Sequence, residues 1–100
     1  MTEPVPLLGD LIDSLYAVIR GRAKADPAVS YTARLLQGPP DKLLKKIGEE
    51  ATEVVMAAKD HDREQLRYEA ADLVYHLLVV MAAEGVSPGD LASELASRQK

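Results

Sequence analysis

Two groups of carboxylates hold most of the chemical information in this chain. The first group is Glu49, Glu50 and Glu53, and the second is Glu69 and Asp72. On a helix of 3.6 residues per turn, the members of each group lie on one face. Like charges one turn apart destabilise an isolated helix, and the first group lies too far inside its predicted helix to be stabilised by the helix dipole. The pattern therefore indicates that something compensates for this repulsion.

A bound divalent cation is the simplest compensation for these acids. Oxygen ligands from two facing helices suit Mg²⁺, and Mn²⁺ is an alternative. Protonation of some acids, or neutralisation by bases, would also relieve the repulsion, and Lys46 lies one turn from Glu49 and Glu50. A solvated acidic helix face is the non-functional interpretation. The second group lies at the edge of an apolar stripe rather than opposite it, which favours a cation site.

Two histidines and two methionines are weaker candidates. We interpret His76, one turn beyond Asp72, as a buried hydrogen-bonding residue that supports the site, because magnesium sites are mostly all-oxygen. His61 is expected to be solvated in a polar turn, and Met56 and Met81 are expected to fill the core. A di-iron site is disfavoured because the sequence lacks the Glu-x-x-His pairs that such bundles use.

Hydrophobic periodicity and capping residues predict an all-α fold, a helical bundle. The predicted helices span residues 8–21, a short segment capped by Ser30 and ended by Gly38, residues 42–59 with Asp41 as N-cap, residues 63–84, and a short segment capped by Ser87. The third helix is expected to face the core through seven residues: Leu43, Leu44, Ile47, Ala51, Val54, Val55 and Ala58. The first helix is expected to do so through Leu8, Leu11, Ile12, Leu15, Val18 and Ile19.

The second half of the fourth helix is apolar on all sides, from Leu77 to Ala83. A helix of this kind must be buried all round, which a chain of 100 residues achieves most easily against a second copy of itself. The sequence therefore predicts a bundle completed by homodimerisation.

Composition sets the remaining limits. One domain over residues 1–100 is expected, and the absence of cysteine excludes disulfides and thiolate metal sites. Without the five motif carboxylates, the 12 basic residues nearly balance the remaining acids, so the excess negative charge is local. This distribution argues against nucleic-acid binding. No apolar stretch is long enough for a membrane span and no secretory signal is evident, so a soluble cytoplasmic protein is expected.

Residues 46–54 (KIGEEATEV) and 69–78 (EAADLVYHLL) closely resemble the phosphoribosyl-ATP pyrophosphatase family of the all-α nucleoside-triphosphate pyrophosphatases. The paired acidic motifs are common to that superfamily. The more selective features are Ser30-Tyr31-Thr32, the lysine and glycine before the first acids, and the Tyr-His-Leu-Leu run after the second. The resemblance extends over residues 11–96.

The resemblance implies hydrolysis of phosphoribosyl-ATP to phosphoribosyl-AMP and pyrophosphate, the second step of histidine biosynthesis. It also implies a helical homodimer and attack of a metal-activated water on the α-phosphorus. The implied Mg²⁺ ligands are Glu50, Glu53, Glu69 and Asp72. The implied catalytic group is Glu49, Glu50 and Glu53, in which Glu49 is either a further ligand or the group that orients and deprotonates water.

Substrate contacts follow from the same resemblance. Lys42, Lys45 and Lys46 are candidates for the phosphates, although lysines on an exposed helix face are by default solvated. Tyr31 and Arg34 are candidates for the nucleotide or the ribose phosphate. Two alternatives stay open: a housekeeping pyrophosphatase for another nucleotide, and a non-catalytic helical dimerisation module whose acids bind a structural cation.

Overall fold

Five α-helices make up most of the computed structural model, which describes residues 4–99. In chain order they are α1 (Leu8–Gly21), α2 (Tyr31–Gln37), α3 (Pro40–Lys59), α4 (Arg63–Glu84) and α5 (Pro88–Ser97). Within residues 4–99 there is no β-strand. The all-α prediction is confirmed, and the bounds of α1 and α4 are those expected from periodicity.

Side-chain caps fix where three of the helices begin. Ser30 Oγ accepts a hydrogen bond from the Ala33 amide at 3.1 Å, and Asp62 Oδ1 accepts one from the Gln65 amide at 3.0 Å. At α5, Ser87 Oγ accepts from the Asp90 amide at 3.0 Å, while Asp90 Oδ2 accepts from the Ser87 amide at 2.9 Å. This reciprocal capping box satisfies two helix-end donors, as predicted.

The start of α3 differs from the prediction. Asp41 was expected to be the N-cap, but the helix begins at Pro40 and Pro39 occupies the cap position. Proline is well suited to the first helical position, because its φ is already helical and its missing N–H has no partner there in any helix. Asp41 lies in the first turn instead, where its charge interacts favourably with the helix dipole.

The α3–α4 hairpin is the centre of the fold. Its turn contains His61, which is exposed as expected and has a left-handed φ of 54°. The far end of α4 terminates at Gly85, whose φ of 75° is the left-handed conformation that glycine adopts without strain. The core side chains come from α1, α2 and the hairpin: Tyr16, Ile19, Leu35, Leu43, Leu78, Val79 and Met81.

Several predicted core positions of α1 and α3 are exposed. On α3, Leu43 is buried, but Leu44, Val55 and Ala58 face solvent, and Met56 is 55% exposed. The expectation that Met56 fills the core is therefore wrong, whereas Met81 is buried as expected. On α1, the exposed positions are Leu8, Leu11 and Val18. The remaining helices are too short to cover every apolar face of the hairpin.

The apolar half of α4 is only partly covered by its own chain. Leu78 and Val79 are almost completely buried, but Leu77 is 41% exposed. Leu77 lines an apolar groove of about 480 Å³ between α1, α4 and α5. The prediction of burial on every face is thus not met within one copy of the chain.

No single helix within residues 4–99 is both long and apolar enough to cross a membrane; α4 and α5 reach the required length and hydropathy only as a pair bent by 108°.

Candidate metal centre

Glu50 on α3 faces Asp72 and His76 on α4. One carboxylate oxygen of each acid and one ring nitrogen of His76 all lie within 4.8 Å of one another. Glu50 is 7% exposed and His76 is 3% exposed, while Asp72 is half-buried. The hairpin therefore brings one member of each predicted acidic group into a single, largely buried cluster.

The position of Glu50 disfavours the ionised form of its carboxyl. Burial raises the pKa of its carboxyl, the hydrogen bond with the Asp72 side chain raises it further, and Lys46 acts in the opposite direction. The Lys46 ammonium lies 3.3 Å from Glu50 Oε1, and this hydrogen bond raises the pKa of Lys46. Lys46 thus offsets only part of what opposes the ionised form of the buried Glu50 carboxyl.

The donor chemistry of this cluster fits a hard divalent cation. Two carboxyls from facing helices present oxygen ligands, which Mg²⁺ and Mn²⁺ prefer. A cation at this point would favour the ionised form of Glu50, because it would attract both carboxylates and offset the repulsion between them.

His76 makes a hydrogen bond through each of its two ring nitrogens. Its Nδ1 lies 2.8 Å from the backbone carbonyl oxygen of Asp72, which can only accept, so Nδ1 carries the proton. Its Nε2 then accepts from the Tyr31 hydroxyl at 2.8 Å. Both ring nitrogens are therefore occupied. His76 is buried and hydrogen-bonded as expected, and its support of a metal stays a prediction.

The other two predicted ligands lie outside this cluster. Glu69 is buried and its Oε1 accepts a hydrogen bond from Gln65 Nε2 at 2.7 Å. No basic side chain pairs with Glu69 among residues 4–99. Glu53 is exposed on α3. Neither carboxylate joins the close group around Glu50 among the described residues, so their role as ligands stays a prediction.

The lysines of α3 are placed unequally. Lys46 Nζ lies between Glu50 and Glu49, 3.8 Å from Glu49 Oε2. Lys45 contacts only the outer side of Glu49, at 4.0 Å, and is largely exposed, as is Lys42. Exposed pairs of this kind contribute little to stability. Of the three lysines, Lys46 is therefore the one next to the buried carboxyls.

Tyr31 and Arg34 reach the site from α2. The Tyr31 hydroxyl contacts His76, and burial raises the pKa of this phenol. The Arg34 guanidinium carbon lies 5.7 Å from the centre of the Tyr31 ring, and Arg34 Nη1 donates to the Pro27 carbonyl at 2.9 Å. Arg34 therefore borders Tyr31 rather than the carboxylates.

Thr32 and Tyr75 were given no role by sequence reasoning. Their hydroxyls form a hydrogen bond between α2 and α4, directly beside the bond from Tyr31 to His76. Spacing along the chain does not reveal this pairing, since the two residues lie on different helices. The available signals were the position of Tyr75 next to His76 and the place of Thr32 and Tyr75 in the more selective motifs of the family resemblance.

Comparison with known proteins gives a consistent result. The sequence model of the family described as phosphoribosyl-ATP pyrophosphohydrolase matches residues 12–99. The chain is 49% identical over 89 residues to the phosphoribosyl-ATP pyrophosphatase of Nitrosomonas eutropha, covering 89% of this chain and 76% of that protein. It is 52% identical over 91 residues to the phosphoribosyl-ATP pyrophosphatase of Pelotomaculum thermopropionicum, covering 91% of this chain and 93% of the relative.

A third relative is longer. The histidine biosynthesis bifunctional protein of Thermus thermophilus is 47% identical over 93 residues, which is 93% of this chain but 44% of that protein. The likeness therefore concerns less than half of the bifunctional protein.

Proposed function

The chain belongs to the phosphoribosyl-ATP pyrophosphohydrolase family, and from this premise we propose how its residues release pyrophosphate from phosphoribosyl-ATP. The chain is a phosphoribosyl-ATP pyrophosphatase of histidine biosynthesis, a hydrolase of a phosphoric anhydride bond. The mechanism rests on one observation, the close approach of the Glu50 and Asp72 carboxyls across the α3–α4 hairpin.

We propose that Glu50 and Asp72 are the central ligands of a Mg²⁺ ion, for which Mn²⁺ can substitute. Glu69, one turn before Asp72, is a further ligand after rotation of its side chain, because its buried carboxylate has only Gln65 as a partner among the described residues. Glu53, one turn after Glu50, completes the set from the solvent side. When bound, the ion supplies positive charge that offsets the charge developing on the leaving pyrophosphate.

The protein's own groups position the other reactants. Water attacks the α-phosphorus, a bond forms between the water oxygen and that phosphorus, and the bond to the leaving pyrophosphate oxygen breaks. We assign Glu49 as the acceptor of the water proton, since its carboxylate lies beside the buried cluster yet is exposed. Glu50 and Glu53 belong to the catalytic group through the ion that they hold.

Lysine and tyrosine side chains border the same cluster and suit the substrate. Lys46 would exchange part of its contact with Glu50 for a phosphate oxygen once the carboxylates hold a cation. Lys42 and Lys45 extend this positive charge along α3. Tyr31, with Arg34 against its ring, offers an aromatic face and a guanidinium for the nucleotide or the ribose phosphate.

The apolar groove between α1, α4 and α5 supports a homodimer. The exposed side chains that line it are Leu8, Val74, Leu77, Leu91 and Leu95. We propose that a second copy of the chain covers this groove, because a large contiguous apolar surface is rarely left open to water. Sedimentation should give a dimer for the natural chain and a monomer for Leu77→Glu. Val29→Glu, which changes an exposed valine outside the groove, should leave the dimer intact.

The test of function is pyrophosphate release from phosphoribosyl-ATP, measured beside ATP and dUTP, first with Mg²⁺ and then with a chelator. The proposal predicts metal-dependent release from phosphoribosyl-ATP and little from the other two nucleotides. Preferential turnover of another nucleotide would instead indicate a housekeeping pyrophosphatase for that nucleotide. No turnover of any nucleotide by the folded protein would favour a non-catalytic helical module.

A further inference from the structure

The first turn of α2 is tied to α4 by two adjacent side-chain hydrogen bonds. Tyr31 donates to His76 Nε2 at 2.8 Å, and the next residue, Thr32, shares a hydrogen bond with the hydroxyl of Tyr75. The bonded residues are neighbours in sequence on each helix. Their order is reversed, because the first residue on α2 pairs with the second on α4. A shift of either helix by one residue would break both bonds.

Three aromatic rings fill the space between these bonds. The Tyr31 and Tyr75 rings are stacked, with their centres 6.4 Å apart and their planes 20° from parallel. The His76 ring stands edge-on to both, 5.8 Å from the Tyr31 centre and 5.2 Å from the Tyr75 centre. The imidazole is therefore held in one orientation by packing as well as by its hydrogen bonds.

The orientation of His76 reaches the carboxylate cluster through Asp72. His76 Nδ1 donates to the Asp72 backbone carbonyl and lies 3.6 Å from Asp72 Oδ1. Rotation of the ring would remove a partner from the same residue that faces Glu50. The position of the Tyr31 hydroxyl thus bears on where the Asp72 carboxyl can lie.

Helix α2 needs an external tie because it is short. It has seven residues, which is below the length at which a helix is stable by itself. Its buried side chains, Ala33 and Leu35, anchor the middle of the helix. Tyr31 precedes them and is 40% exposed, so apolar burial alone does not fix its place.

We propose that Thr32 and Tyr75 are positioning residues of the metal site. Their hydrogen bond fixes the first turn of α2, which keeps the Tyr31 hydroxyl on His76 and thereby keeps Asp72 turned toward Glu50. The inference depends on the proposed function in one respect, since it takes Glu50 and Asp72 to be ligands of a divalent cation.

The test is a double-mutant cycle read by Mn²⁺ binding, with free Mn²⁺ measured by electron paramagnetic resonance and without substrate. Tyr75→Phe and Thr32→Val each remove one half of the hydrogen bond. Each should weaken Mn²⁺ binding about fivefold, the factor that corresponds to one ordinary net hydrogen bond. The double variant should be no weaker than either single variant, because both changes remove the same bond.

Tyr16→Phe is the matched control. It also removes a tyrosine hydroxyl, one that donates to the Val86 carbonyl at 2.7 Å and lies on α1 rather than at the site. This variant should lose stability but bind Mn²⁺ with unchanged affinity. An equal loss of Mn²⁺ affinity in Tyr16→Phe, wild-type affinity in Tyr75→Phe, or additive losses in the double variant would each overturn the positioning role. If Tyr75→Phe does not fold, Thr32→Val against Tyr16→Phe still decides the question.

Activity assays separate this inference from the proposed function. For Tyr75→Phe at saturating substrate, the Mg²⁺ concentration for half-maximal rate should rise, and excess Mg²⁺ should restore most of the kcat. Natural protein that binds Mn²⁺ but releases no pyrophosphate would refute the function and leave the cycle to decide the positioning role. Natural protein that hydrolyses phosphoribosyl-ATP but shows no coupling between Thr32 and Tyr75 would refute the positioning role alone.

Discussion

The ammonium of Lys46 lies 3.3 Å from the carboxylate of Glu50, one helical turn away on the same helix and at the edge of the buried cluster. Through this pair, α3 contributes to both the proposed metal site and the proposed phosphate contacts. Replacement of Lys46 should impair substrate binding, whereas replacement of Glu50 should impair catalysis.

Lys46→Met should chiefly impair substrate binding. The variant loses a charge-assisted contact with a phosphate, so KM for phosphoribosyl-ATP should rise about 10- to 100-fold while kcat changes less. Steady-state kinetics at saturating Mg²⁺ measures KM and kcat separately. Lys59→Met, at the exposed end of the same helix, should leave both constants unchanged. A fall in kcat with an unchanged KM would contradict the substrate role.

Glu50→Gln should abolish metal-dependent catalysis with little loss of structure. The amide cannot replace an anionic ligand, so kcat/KM should fall by more than about 100-fold, beyond the range typical of residues that only support a ligand. The circular-dichroism spectrum should stay helical. Glu64→Gln, an exposed acid in the first turn of α4, is the control and should keep full activity. Retained activity in Glu50→Gln would exclude Glu50 as a ligand.

The raised pKa of Glu50 also predicts that stability depends on pH in the absence of metal. Its folded-state pKa is raised above the ordinary value of 4.5, chiefly by burial and then by Asp72. The neutral form is therefore the one that the fold favours. The contribution to stability is fully present below pH 4.5 and is lost as the pH rises through the folded-state pKa.

Thermal melts with a chelator measure this effect as the difference between the natural chain and Glu50→Gln. The variant should become the more stable of the two as the pH rises from 4 toward 8, and added Mg²⁺ should stabilise only the natural chain. A difference in Tm that does not vary with pH would show that Glu50 ionises as easily in the folded chain as in the unfolded one.

The lowered pKa of Asp90 predicts a contribution to stability with the opposite dependence on pH. Its hydrogen bonds with the Ser87 backbone amide and side chain lower the pKa of the Asp90 carboxyl below its ordinary value of 3.8. The capping contribution should be complete above pH 3.8 and should be lost as the pH falls through the lowered pKa. Asp90→Asn should therefore melt below the natural chain at pH 7, and the difference between the two Tm values should shrink as the pH falls below 3.8. A Tm difference that stays the same from pH 7 into the acid range would contradict the capping role.

Two glycine substitutions should change stability in opposite directions. At Gly38, a Cβ would lie 2.8 Å from the Arg34 carbonyl oxygen, a backbone atom that cannot move aside cheaply. Gly38→Ala should lower the free energy of unfolding by about 1–3 kcal/mol. At Gly48, inside α3, a Cβ meets nothing within 4 Å, so Gly48→Ala should raise it by about 0.5–1 kcal/mol. Urea unfolding of both variants tests the pair, and a stabilised Gly38→Ala would contradict the close approach of Gly38 to the Arg34 carbonyl oxygen.

The limits of α4 could be predicted because periodicity, a capping side chain and a terminal glycine agree at its ends. Those of α1 could be predicted from its apolar periodicity and Gly21 alone, since Leu7 at its N-cap offers no capping side chain. The start of α3 could not, since Asp41 and Pro40 are both good N-terminal signals and only backbone geometry separates them. The exposed side of α3 was mispredicted for another reason. Periodicity identifies an apolar face such as that of Val55 and Met56 but does not say whether the chain has an element to cover it.

The candidate site also has features that the sequence could predict and features that it could not. The meeting of Glu50 with Asp72 follows from two acidic faces on a helical hairpin, and their spacing was sufficient to predict it. The separate positions of Glu53 and Glu69 depend on side-chain rotamers, which spacing does not determine. The bond between Thr32 and Tyr75 depends on how α2 docks, which no local pattern records.

The short turn between α3 and α4 has a consequence for the order of folding. Glu50 and Asp72 belong to one local hairpin, so the chain brings them together by closing a short loop. The bonds of Tyr31 and Thr32 to α4 join residues 45 and 43 positions apart, and the bond of Tyr16 to Val86 joins residues 70 apart. Because longer loops close at a greater entropic cost, we expect α1 and α2 to dock after the hairpin has formed. We therefore expect the hairpin that carries the acidic pair to form before α1 and α2 complete its surroundings.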